Sequence, residues 1–275
     1  MDATTRHANP LGFNAPFSSR AGMVARGLVP ARATVLALSA GMLGWEITGR
    51  LLHYSFLPPF SNVVLAAAQL IASGQILGYL AASLVGLFTG YVLAAVGGVG
   101  LGVLMGRYRR VEYAFDLYIS AMLATPKIAL VPVLFAIFGV NRSVQVVVIF
   151  LSSFFIIVVN TMSAIRTVDA THIDMARSFG ASERQLFQKI LFPGAMPLML
   201  AGLRLGMGRA VRGMINGEMY IALFGLGALL RTYGNRFDAE KVFAILLIII
   251  LVALACTSIV QAIGRHFTKW MEISS

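Results

Sequence analysis

The chain has 275 residues, of which 58% are apolar and only 12% charged, with a mean hydropathy of +0.82. Soluble domains carry about twice that charged fraction, so the composition excludes a water-soluble enzyme or binding module and indicates a polytopic membrane protein. A net charge of +11 would suit nucleic acid, but the position of the basic residues along the chain gives it to a membrane surface instead.

Residues 1–30 are polar, carry arginines and are interrupted by Pro10, Pro16 and Pro30. They lack an apolar core with a small-residue cleavage site, and they read as a disordered cytoplasmic tail. Crossing about 30 Å of hydrocarbon takes about 20 apolar residues, which places six spans at 31–50, 77–106, 113–138, 143–165, 195–225 and 241–264. With the N-terminus inside, thirteen Lys and Arg residues fall in cytoplasmic segments, among them Arg107, Arg110, Arg166 and Arg184. Only five, Arg50, Arg142, Arg231, Arg236 and Lys241, fall outside. That asymmetry predicts an N-in, C-in topology. The fold class is an all-α membrane protein with six transmembrane helices. Its regions are the tail 1–30, a first span with its outer loop at 31–62, and a core at 63–275 that includes a polar loop at 169–192.

After Pro58-Pro59, Ser61-Asn62 opens an Ala-rich run that reads as a capped helix at the outer interface. The second span carries small residues every fourth position from Gly74 through Gly86, Gly90, Ala94, Gly98 and Gly102 to Gly106. Such a stripe admits close backbone approach. It drifts about 40° per step, so one neighbour is expected to use three or four members.

The third span contains Thr125-Pro126-Lys127 and Pro132, which remove helical hydrogen bonds at mid-depth. Lys127 either faces protein or a translocation path, or snorkels to an interface. The fifth span holds Arg204, Arg209, Arg212 and Glu218, a load that no lipid-facing helix carries. These charges either meet water and a solute, or satisfy one another and a neighbouring loop. Cys256, the only cysteine, sits in the sixth span as a small apolar filler and allows no intrachain disulfide.

Between spans four and five, Asp174 to Pro193 reads DMARSFGASERQLFQKILFP, a polar island between apolar runs. Asp169 or Thr171 caps a first helix, Gly180 ends it in a left-handed turn, and Ser182 with Gln185 forms a capping box for a second. Ile173, Ala176, Phe179, Leu186, Phe187, Ile190 and Leu191 recur at helical spacing, giving each helix one apolar face. On these features alone the island could rest on lipid headgroups.

The island also resembles the EAA loop of binding-protein-dependent ABC importer permeases, in which Glu-Ala-Ala is followed by Gly, Ile and Leu-Pro at fixed spacing. Asp174-Met175-Ala176, Gly180, Ile190 and Phe192-Pro193 fall in register, with Asp for Glu, Met for the first Ala and Phe for Leu. The resemblance runs from about Gly78 to the C-terminus. Through AFDLYISAMLATPKIALVPVLFAIFGV, MPLMLAGLRLG at Met196–Gly206, Gly217-Glu218-Met219 and Gly225-Leu226-Gly227 it is closest to the subfamily for sulfonates, taurine, nitrate and related small anions or aromatic compounds.

The resemblance implies the permease subunit of an ATP-driven importer in the bacterial inner membrane, with ATPase subunits, a substrate-binding protein and a second permease copy as partners. Asp174, Ala176, Arg177, Gly180, Glu183, Ile190 and Pro193 would then couple to the ATPase. Lys127, Arg209, Arg212 and Glu218 are candidates for the path of a small, anionic solute. The chain has no G-x-x-x-x-G-K-[ST] loop, no H-E-x-x-H and no metal-ligand set, so it is read as a non-enzyme that binds no cofactor, with ATP and Mg²⁺ on the partner. The alternative is a secondary transporter or channel driven by an ion gradient; such a carrier has no need of the island.

Overall fold

The computed structural model describes residues 31–52 and 56–268; the expected N-terminal tail lies outside them. Every regular element among the described residues is helical. Five helices are long and apolar enough to cross a membrane, and a bent pair would make a sixth crossing.

The molecule is built around α6 (Arg142–Arg166), clasped between α3 (Gln75–Arg107) and α9 (Phe192–Ile221). On α3, a Cβ at Gly86, Gly90, Gly98, Gly102 or Gly106 would strike Gln145, Ile149, Ile157, Thr161 or Ile165 in turn, so α3 and α6 run parallel in one unbroken register. Ala94 is fully buried between these glycines. The stripe thus serves a single neighbour from Gly86 to Gly106, further than its drift on a straight helix allows. A period of four exceeds 3.6, so the line of contact winds in the sense of the helix, and a partner keeps it by coiling with it.

On the other side, Gly202, Gly206, Gly213 and Gly217 of α9 meet Asn160, Ile157, Ser152 and Val148 in descending order, so α9 is antiparallel to α6. The centre of the bundle therefore belongs to a helix without glycine. Its β-branched Val, Ile and Thr side chains, stiff at χ1, together with Gln145, Ser152 and Asn160, fill the space that the glycines of both neighbours leave open.

α1 (Ala31–Leu52) is attached chiefly at its C-terminal end, where the Trp45 ring meets Phe60 at a tilt and Phe243 edge-on and Gly49 lies against Pro59. α2 (Phe60–Ala72) has no side-chain cap. The Ser61 N–H and hydroxyl are bound by Glu46 of α1 at 2.9 Å each. Nor does α2 only lie at an interface: Val63, Ala66 and Leu70 enter an apolar core with Ile76, Leu226, Ala244 and Ile245, leaving Leu65 and Ile71 exposed.

The expected third span is α4 (Arg109–Ala124), a 3₁₀ turn at Lys127–Leu130 and α5 (Val131–Phe138), bent by 95° at the Pro126 break. The fifth departs from expectation at both ends. It begins at Glu183 and runs 39 residues to Ile221, and Ala222 (φ 56) turns the chain into a separate helix, α10 (Gly225–Asn235). α11 (Ala239–Thr268) completes the bundle. The end that carries α7 (Ala170–Ser178), which follows α6, is called the α7 end here; α2 and α10 mark the far end.

Candidate functional site

The polar island folds as its capping signals predict for the first helix and the turn. The Asp169 carboxylate accepts the Thr171 N–H at 2.8 Å, and the backbone and hydroxyl of Thr171 hold that carboxyl below the usual range. At the other end Ala181 N–H reaches the Ala176 carbonyl and Gly180 N–H the Arg177 carbonyl, at 3.0 and 2.9 Å. This is a Schellman closure, with Gly180 at φ +77 where a side chain would be strained. Ser182 and Gln185 form the reciprocal box.

The second helix is not the short element expected. α8 (Glu183–Leu186) passes through one π turn, Phe187–Leu191, directly into α9. Pro193 has no N–H and its ring would press on the carbonyl four residues back; the wider turn ahead of it relieves that clash, and the helix continues. The island is thus a lever fused to a membrane span. Ile190 is half-buried near the π turn, as is Pro193 at its end.

α7 is almost free of the bundle. Ile173 and Ala176 are half-buried, Asp174 and Arg177 exposed. Phe179, expected on the apolar face, is 85% exposed, and Met175 is 53% exposed: Phe179 sits at the helix terminus, where the left-handed turn swings it outward. Behind α7 a cleft of about 360 Å³ is lined by Arg107, Arg166, Asp174, Arg177, Glu183 and Leu186. Ion pairs cross it: Glu183 joins Arg177 at 3.4 Å and also Arg107 at the end of α3, while Arg166 pairs with Glu112 of α4. Nothing in the local sequence signals the Arg107–Glu183 or Arg166–Glu112 pairs.

A second group lies deeper. Arg204, Arg209 and Arg212 are exposed along α9, outside its glycine contacts with α6. Half-buried Lys127 donates from Nζ to the Leu123 carbonyl at 3.1 Å, capping the broken end of α4. These cations form one open face with no acidic partner among the described residues.

Glu218, expected beside them, is elsewhere: it is fully buried and touches no arginine. Its Oε1 accepts Gln145 Nε2 at 2.7 Å, and its Oε2 accepts the Gly227 N–H at 2.8 Å. The Ser83 hydroxyl accepts the Leu226 N–H at 2.8 Å beside it. The sequence does not single out Gln145 or Ser83, because nothing in α3 or α6 announces which polar residue meets a distant acid.

The family model described as binding-protein-dependent transport system inner membrane component matches residues 98–273. A Brucella abortus protein described as a probable ABC transporter permease is 30% identical over 241 residues, covering 86% of this chain and 95% of its own. The Bacillus subtilis protein SsuC, named for aliphatic sulfonates transport, is 30% identical over 228 residues, covering 82% of this chain and 83% of its own. Among solved structures, a chain of an amino acid ABC transporter superposes with a TM-score of 0.59 at 16% identity, covering 72% of this chain and 97% of that one. That last likeness concerns the fold alone.

Proposed function

The chain belongs to the family of binding-protein-dependent transport system inner membrane components, and on that premise we propose a division of labour within this permease subunit of an ABC importer. The subunit is not itself an enzyme; it works with a separate ATPase and a substrate-binding protein. In the proposed arrangement, α7 is the handle that the ATPase grips. Met175 and Phe179 supply apolar contact, Ala176 and Gly180 allow close approach, and Asp174, Arg177 and Glu183 supply the polar contacts. Ile190 and Pro193 mark the joint through which motion of the handle enters α9. ATP and Mg²⁺ sit on the ATPase.

The observation that carries this reading is the continuity of the lever: an exposed helix, a glycine-closed turn, and then a single 39-residue helix that bears the cationic face. Three arginines exposed at membrane depth are costly unless protein or water covers them. A second copy of the chain, related by a two-fold axis, would enclose the two faces around a common passage. Lys127, Arg209 and Arg212 would then favour a small anion in a medium of low dielectric; among the sulfonate, taurine, nitrate and aromatic acid types of solute, the similarity to SsuC supports a sulfonate. The charge asymmetry supports N-in, C-in insertion in a bacterial inner membrane, with α7 in the cytoplasm.

The test is Gly180→Glu, which places a charged side chain on the left-handed turn. Uptake should fall to background while membrane insertion is retained and copurification of the ATPase is lost. Normal uptake by this variant would remove α7 as the coupling element.

A further inference from the structure

At the far end the chain leaves α9 through two left-handed residues, Ala222 at φ 56 and Gly225 at φ 84. The corner between them presents Leu223, 66% exposed, and Phe224, which leans on Val131, Val144 and Ile221. It borders a crevice of about 300 Å³ lined by Gln75, Tyr79, Arg142, Leu223 and Phe224. An apolar side chain thus stands at the far end of the helix that carries the cationic face, with space beside it.

Polar bonds fix this corner. Through Glu218, Gln145, Ser83 and the N–H groups of Leu226 and Gly227, it is tied to α9, α6, α3 and α10 at once. The carboxylate also occupies the N-terminus of α10, the end that favours negative charge. The fit is tight: a Cβ at Gly225 or Gly227 would collide with Glu218. Apolar packing could hold the same four helices together without burying an acid. What hydrogen bonds add is direction, because each fixes one orientation of the corner.

We propose that Glu218 is a positioning residue for transport, a latch that holds the Ala222–Gly225 corner against α3 and α6 so that Leu223 and Phe224 close the path at the end away from the ATPase. This rests on the path assigned above to the cationic face of α9. The latch explains why an acid on the same helix as three arginines pairs with none of them: its partners are the helices that must stay still when α7 is pulled.

The experiment uses the permease assembled with its ATPase in lipid vesicles, carrying Leu223→Cys with Cys256→Ala, and a membrane-impermeant maleimide as the probe. With Glu218 in place, labelling of the corner should differ between nucleotide-free and ATP–vanadate states. With Glu218→Ala it should be fast in both, about tenfold above the slower wild-type state, while ATP hydrolysis continues. Glu218→Gln should restore state-dependent labelling to within about threefold, since Gln145 can flip its amide to accept the new N–H donor. Should Glu218→Ala fail to assemble, Ser83→Ala loosens the same corner with the carboxylate intact and should raise labelling about threefold. State-dependent labelling that survives both Glu218→Ala and Ser83→Ala would overturn the latch, as would a corner that labels alike in both states with Glu218 present. Hydrolysis is read in the same vesicles, so a chain that is no ATPase partner would reveal itself separately, by hydrolysis indifferent to its presence.

Discussion

The two ends of this bundle are held by opposite kinds of polar chemistry. At the α7 end, ion pairs are exposed: Glu183 is 61% exposed and its partners Arg107 and Arg177 28% and 53%. At the far end the Glu218 carboxylate is completely enclosed, with each of its oxygens bonded. Exposed pairs contribute about 0–1 kcal/mol and exchange readily with water. Breaking a buried network leaves desolvated donors unpaired, at about 1–3 kcal/mol each. One end is therefore built to be let go during a cycle and the other to hold, and a lever needs both, a free arm and a fixed seat.

This contrast assumes that the rod between the two ends is stiff. Gly102 is the place to break it, since a Cβ there would meet both the Val158 carbonyl and Thr161 at 2.6 Å, and backbone cannot yield as a side chain tip can. Gly102→Leu should part α3 from α6 and cost more than about 4 kcal/mol, in the range of severe overpacking. The expected outcome in detergent is loss of a monodisperse peak and of ATPase copurification. A folded, coupled variant would show that the α3–α6 seam is not what joins the ends.

Next in size comes the direct comparison of the two glutamates. Glu218→Ala should lower stability by about 3 kcal/mol, because Gln145 Nε2 and the Gly227 N–H lose their acceptor. Glu183→Ala should lower it by less than about 1 kcal/mol. Thermal melts of the two purified variants check this, and equal shifts would erase the distinction between a holding end and a releasing end.

How much of this was legible in the sequence follows the same division. Local signals were readable because their physics lies within a few residues: Asp169 caps Thr171, Gly180 must turn left-handed, and Ser182 answers Gln185. The crossing helices were readable because hydropathy is additive along a chain. The small-residue stripe announced a close seam but not its length, since that depends on how the partner coils. It also drew attention away from α6, whose central place is written in the glycines of its neighbours. Contacts made across the fold left no local trace. Arg107 and Glu183 look like ordinary surface charges, and Ser83 and Gln145 like ordinary polar residues of a span. Glu218 was visible as an anomaly, but the three arginines on its own helix were the wrong place to look for its partners: they are exposed, whereas Glu218 is buried against Gln145 and the start of α10.

The smallest expected effect lies in the handle itself and turns on pH. The bonds from Thr171 depress the Asp169 pKa in the folded state, so the cap contributes stability above the unfolded carboxylate value of about 4. That contribution is lost as pH falls through the depressed folded value. Asp169→Ala removes both the cap and its titration. Pepsin offers a local readout, because the exposed Phe179 at the end of α7 is a cleavable aromatic. At pH 5 the native chain should be cut there more slowly than the Asp169→Ala variant, and the ratio of the two rates should approach one as pH falls through the depressed folded value; the enzyme's own pH dependence cancels in that ratio. The Leu223 corner, held by bonds to the buried Glu218, should show no parallel change in cleavage over the same interval. If the ratio at Phe179 stayed constant, α7 would be fixed by the bundle and not by its cap, and the α7 end would be less free than its exposed ion pairs indicate.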